Sequence, residues 1–312
     1  MDLDPTNTMK IKGALTAACK TDDVSLLSQI ISAASKPDST TTVQEVLDIG
    51  FQRSTSANAT TVLSYVLERG ADIQGHGSNL TLCWGTLSLP TLATLDILVA
   101  HGWDIDSHGN HGSYSEPLLW KALDDPELFE RCLYHGARVD LNDPENGGPR
   151  LILELAAVHC NVELFELLCQ RGAQLSPRIL PLAVRAANDY VAMDEDPPSL
   201  ASKRRASYET SLDMVRHLID VVGLDVNVSS YWAGSTCSTP LCCITCYPKG
   251  DATELIWLLL ARGGDPHLAG PQLDDYKISS AYEAATERQN TSFLRALETW
   301  QERESGKLYE QA

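Results

Sequence analysis

Apolar residues recur along this chain at helical spacing, and each run ends at a glycine. Val62, Leu63, Val66 and Leu67 fall on one side of a helix, as do Leu164, Phe165, Leu167 and Leu168. The runs close as YVLERGADI (65–73), ILVAHGWDI (97–105), CLYHGARVD (132–140), ELLCQRGAQL (166–175), LIDVVGLDVN (218–227) and LLLARGGDP (258–266). Glycine there is expected to take the left-handed conformation that caps a helix, as at Gly70 and Gly172. A second, shorter helix is expected before each run, in PLLWKAL (117–123), LELAAVH (153–159), PLAVRAA (181–187) and PLCCITC (240–246). Small residues such as Ala156 and Ala157 let neighbouring helices approach closely. The unit is helix, turn, helix and an extended finger.

The glycines at 70, 102, 136, 172, 223 and 263 are separated by 32, 34, 36, 51 and 40 residues. Three intervals lie near a 33-residue period, and both long ones have a visible source. The segment 187–210 carries paired prolines, serines and mixed charge, which oppose burial and predict a surface excursion between two helices. A Pro and Gly turn, YPKGDA (247–252), enlarges the other.

These units resemble ankyrin repeats, whose pattern includes T-P-L-H-x-A at the first helix and L-L-x-x-G-A at the end of the second. LELAAVHCNVELFELLCQRGAQL (153–175) is the nearest copy, and Thr239-Pro240-Leu241 opens the last full unit in the family manner. The resemblance implies an all-α solenoid of stacked helix-turn-helix units. Six glycine-ended units would lie between capping helix pairs at 14–34 and 279–299, in one domain over 11–300. Residues 1–10 and 301–312 are expected to be a flexible start and a tail. The family His after T-P-L, which holds the loop between repeats, is replaced by Trp84, Leu119, Glu154, Ala183 and Cys242. Such irregularity resembles the degenerate stand-alone ankyrin proteins of filamentous fungi.

Charge narrows the partners. Forty-two acidic against 24 basic residues give a net charge of −18, which repels nucleic acid and anionic lipid. The chain starts MDLDPTNTMK, without the basic and apolar pattern of a secretory signal, and its most apolar run, Leu255 to Ala261, is far shorter than the ~20 residues of a membrane helix. Nine cysteines, an odd number set mostly in apolar runs, fit a reducing compartment and a cytoplasmic protein.

Candidate chemistry concentrates in the fingers, which in ankyrin proteins form a concave recognition face with the first helices. GWDIDSHGNHGSYSE (102–116) holds Trp103, Asp104, His108, His111 and Tyr114, and GLDVNVSSYWAGSTCST (223–239) adds Tyr231 and Trp232. Aromatics there would be anchors, while Asp104, His108, His111 and His159 would be polar selectors. Trp84 and Trp120, set in helices, read as core. Histidines at 108 and 111 lack the helical spacing of strong zinc motifs. Cys243 and Cys246 form a C-x-x-C without the second pair a zinc ribbon needs, so no metal and no cofactor is expected. Glu154 reads either as a buried acid or as a local hydrogen-bonding substitute for the family His. Arg204-Arg205-Ala206-Ser207 resembles a basophilic kinase site at Ser207.

Two functions of different class follow. One is a monomeric, non-catalytic module that binds a protein or peptide along an acidic, aromatic-rich face. The fingers at 70–81, 102–116, 136–149, 172–180, 223–239 and 263–279 carry eleven Asp or Glu against three Lys or Arg, so a basic partner is expected. The other is an enzyme whose groove encloses a small metabolite, with His108, His111, His159 or Glu154 performing acid/base isomerisation, cyclisation or dehydration, as in fungal secondary metabolism. No phosphate-binding loop, G-x-S-x-G elbow or H-E-x-x-H pair occurs.

Overall fold

The computed structural model describes residues 7–77, 89–107, 117–139, 151–191, 196–230, 239–246, 250–269 and 279–310. Every regular element among them is a helix. The chain divides into two units, Met1–Pro149 and Arg150–Ala312.

In the first unit α1 (Thr8–Thr21) pairs with α2 (Val24–Ala34), and α3 (Val43–Ala57) with α4 (Thr60–Glu68). A short α5 (Ile73–Gly77) precedes α6 (Leu92–Ala100), and α7 (Leu118–Lys121) pairs with α8 (Pro126–Tyr134). First helices pack on first helices, α1 on α3, and second on second, α2 on α4 on α6 on α8. Each apolar stripe is thereby buried by its neighbour, the logic of a repeat stack.

The second unit repeats the scheme with α9 (Ile152–Val158) and α10 (Val162–Gln170), α11 (Ile179–Asp189) and α12 (Pro198–Asp220), α13 (Pro240–Cys246) and α14 (Thr253–Leu260), and α15 (Ala281–Glu287) and α16 (Thr291–Glu310). Here the first helices form a continuous row, α9 on α11 on α13 on α15. They are packed from several sides, so nearly every residue of α9 and α11 is buried, and the small Ala156, Ala157, Ala183 and Ala187 make that approach sterically feasible.

All six glycines that end the runs have φ between +78° and +88°. At Gly172 a Cβ would meet nothing within 4 Å, so backbone conformation and not space selects glycine there. A second left-handed position lies in the turn between paired helices, at Asp22, Asn58, Cys160 and Gln289, with φ of 52° to 58°. Asp22 uses it to reach the next pair: its carboxylate accepts from Thr61 N and Oγ1 and from Val62 N at 2.7 to 3.1 Å.

Three boundaries differ from the sequence reading. The expected start and tail are helical in part, since α1 begins at Thr8 and α16 continues to Glu310. The 187–210 excursion is also largely helix: α11 runs to Asp189, and α12 begins at Pro198 and continues unbroken to Asp220. Proline at the helix start satisfies a position with no N–H to spend, and the following ASKRRASYE contains no breaker. Residues 198–207 remain unburied, in keeping with their charge, but Tyr208 is buried, and its hydroxyl accepts from Leu255 N at 3.2 Å. That contact caps α14, which has no side-chain N-cap of its own.

Candidate functional site

The described parts of the fingers share one exposure pattern: glycine exposed, the next residue mostly buried, the one after it exposed. Ala71, Ala137, Ala173 and Gly264 occupy the buried place. Trp103 occupies it too and is only 4% exposed. The expectation that Trp103 is an exposed anchor is therefore corrected, because its position directs the indole into the stack. Trp120 is buried, as its helical setting suggested.

The exposed place two residues after glycine holds Asp72, Asp104, Arg138, Gln174, Asp225 and Asp265. Each of the four aspartates is fixed by a local turn. Its Oδ1 accepts from Gly75 N, Asp106 N, Asn227 N and His267 N, respectively, at 2.8 to 3.0 Å. The carboxylates are thus held at the surface in a set orientation.

Two residues further on, in the fingers that start at Gly70, Gly102 and Gly223, a polar side chain ties the finger to the next. Gln74 Nε2 donates to Gly102 O at 3.0 Å, and Asp106 Oδ1 accepts from Arg138 N at 2.9 Å. In the second unit Asn227 does both jobs: Nδ2 donates to Gly263 O at 2.9 Å and Oδ1 accepts from Asp265 N at 2.8 Å. Gln44 and Asp48 play the same part from α3 toward Gly70 and Asp72. The signal for this ladder is visible in the sequence as Gly-x-Asp-x-Gln, Gly-x-Asp-x-Asp and Gly-x-Asp-x-Asn at 70, 102 and 223, in polar residues rather than in the aromatics and histidines.

The family histidine has two chemically different substitutes. Glu154, 1% exposed, accepts from Leu151 N at 3.2 Å through Oε2 and from Ser176 Oγ at 2.6 Å through Oε1, and its Oε2 lies 3.4 Å from the Arg178 guanidinium. Only the carboxylate half of a capping box exists here, since Leu151 has no side-chain acceptor. Both oxygens are therefore occupied in holding the finger of the same repeat, an arrangement for positioning rather than proton transfer. Cys242 works from the other side of the bond, with Sγ donating to Ser279 O at 3.4 Å and its own N–H bonded to Thr239 Oγ1 at 3.3 Å.

His159 caps the C-terminus of α9 and is exposed. A shallow depression of about 160 Å3 opens nearby on α11, with Val158, Leu182 and Ala186 in its wall beside Arg185, Asp189 and the half-exposed Tyr190. Ser207 is half-buried on α12. His108, His111, Tyr114, Tyr231 and Trp232 lie outside the described residues, as does Trp84. Among the described residues no group of three His, Cys, Asp or Glu could hold a metal ion. Cys19, Cys132, Cys160, Cys169, Cys242 and Cys243 are free thiols, and burial pushes Cys19 up to about 11 and Cys132 and Cys243 up to about 12, leaving them protonated and inert.

Left-handed glycines, paired helices and a finger ladder recur in both units. The fold is an all-α stack of paired helices in glycine-ended units. No family model matches the chain, and no curated protein matches it in sequence. One solved structure similar to it is the human ASB11 ankyrin repeat domain, at 14% identity and a TM-score of 0.38, with 88% of this chain and 96% of that chain covered. No helix among the described residues is long and apolar enough to cross a membrane.

Proposed function

We propose that the chain is a non-catalytic interaction module that binds a basic, extended protein segment through the exposed aspartates of its fingers. The observation that carries this reading is the pair of pre-set carboxylates in each unit, Asp72 and Asp104 in one and Asp225 and Asp265 in the other. All four are exposed and held by a backbone N–H. A carboxylate already oriented loses little freedom on meeting a Lys or Arg side chain, so more of the electrostatic attraction survives as affinity. The net charge of −18 adds long-range steering toward a cationic partner. The occupied oxygens of Glu154 favour this over the acid/base reading.

The test is binding of a short Lys- and Arg-rich peptide, followed by fluorescence anisotropy at several salt concentrations. Replacing all four aspartates by Asn keeps the Oδ1 acceptor and the finger shape while removing the charge. The module reading expects affinity to fall about tenfold or more in this variant and to weaken with salt in the parent. Equal affinity for an acidic peptide of the same length, or binding unaffected by the four substitutions, would refute it.

A further inference from the structure

The segment that lengthens α12 is joined to the rest of its unit in an unusual way. From Pro198 to Ser207 no side chain is buried, and Leu200 is 41% exposed. Pro197 offers no side-chain cap to the helix start. Two arginines supply the visible side-chain ties. Arg204 Nε lies 3.2 Å from Asp196, and its Nη1 donates to Asp189 O at 3.2 Å. Arg205 lies 2.5 Å from Glu209 and 3.3 Å from Glu254. Burial resumes at Tyr208, and from there Ser211, Leu212, Met214, Val215 and Leu218 are anchored in the unit. Ser207 is thus the last residue of a peelable stretch, because turns with no fully buried residue open at lower free-energy cost than the anchored turns that follow.

We infer that Ser207 is a phosphate-acceptor site, modified by an ATP-dependent protein kinase whose acidic cleft receives Arg204 and Arg205, and that phosphate there shortens α12 to begin near Tyr208. Arg205 is exposed and Arg204 half-buried against Asp196, so peeling residues 198–207 frees both together with the acceptor while Tyr208 keeps the remainder in place. In the transfer, Ser207 Oγ attacks the γ-phosphorus of ATP, the bond to the bridging oxygen of ADP breaks, and the hydroxyl proton leaves to the kinase base. The product is a phosphoserine and ADP.

The charge balance explains the shortening. In the long helix a phosphate at 207 would lie mid-helix, with Lys203 and Arg204 toward the N-terminus, the less favourable order for a basic and acidic pair. In the short helix the same phosphate lies at the N-terminus, where unsatisfied N–H groups and the helix dipole favour an anion. It also competes with Asp196 for Arg204.

The experiment treats the full chain with a basophilic serine kinase and ATP, maps the product by mass spectrometry, and follows amide exchange before and after. Ser207→Ala, a helix-favouring change checked by circular dichroism, serves as the control. Phosphate on Ser207 in the parent and none at that position in Ser207→Ala is expected, with exchange over 199–206 accelerated about tenfold and 208–220 unchanged or slower. Phosphorylation of an isolated 200–212 peptide but not of the folded chain would overturn the site. Modification with undiminished protection over 199–206 would overturn the shortening.

Discussion

Replacing Glu154 tests whether a buried carboxylate serves the finger or is held in reserve for chemistry. Glu154→Ala removes the acceptor of Leu151 N at 3.2 Å and of Ser176 Oγ at 2.6 Å, and one partner of Arg178 at 3.4 Å. A hydrogen bond to a charged group contributes about 1.5–3 kcal/mol, while burying the carboxylate itself carries a penalty that the substitution relieves. Arg178 is 28% exposed and regains water, so its share is small. Leu151 and Ser176 are half-buried and partly rehydrate. The expected net loss is about 2–3 kcal/mol in urea unfolding followed by far-ultraviolet circular dichroism. Ser176→Ala should lose about 1–2 kcal/mol, because it leaves Oε1 buried without its donor. The double variant should cost little more than Glu154→Ala, giving a coupling of about 1–2 kcal/mol. Additive losses, or Glu154→Ala within about 0.5 kcal/mol of the parent, would refute the positioning role.

Tyr208→Phe should destabilise the second unit by about 1 kcal/mol, measured by chemical denaturation, since it strips α14 of the acceptor for Leu255 N and leaves the packing intact. Burial raises the Tyr208 hydroxyl above its ordinary pKa, so this effect should not change between pH 6 and pH 9. For Asp22, partial burial raises the pKa, but three hydrogen bonds from Val62 and Thr61 outweigh it and hold the carboxyl below its ordinary value. A depressed carboxylate stabilises the fold above its unfolded pKa of about 3.9, and that contribution disappears as pH falls through the lower folded value. The stability difference between the parent and Asp22→Asn, which tolerates the same left-handed backbone, should be constant from pH 5 to 7 and shrink below pH 4 in acid titrations. A difference that grows on acidification would contradict the assignment.

The sequence by itself determined the repeat. A helix end that needs φ near +86° accepts glycine at little cost, so the six glycines mark the second helices wherever the fold places them. Apolar spacing located the partner helices for the same local reason. What each irregular residue does depended on contacts far along the chain. Trp103 looks like an anchor in a polar finger, yet it takes the place that Ala71, Ala137 and Ala173 fill, and only the stacked neighbour makes that place interior. Glu154 was ambiguous because its partner Ser176 is 22 residues away. The length of α12 is not legible locally, because proline and charge argue for a loop, whereas Tyr208 gains burial and a partner 47 residues on at Leu255. Local backbone preference is written in a few adjacent residues. The worth of a side chain that bridges repeats is set by what the stack brings beside it, and that is a property of the tertiary structure.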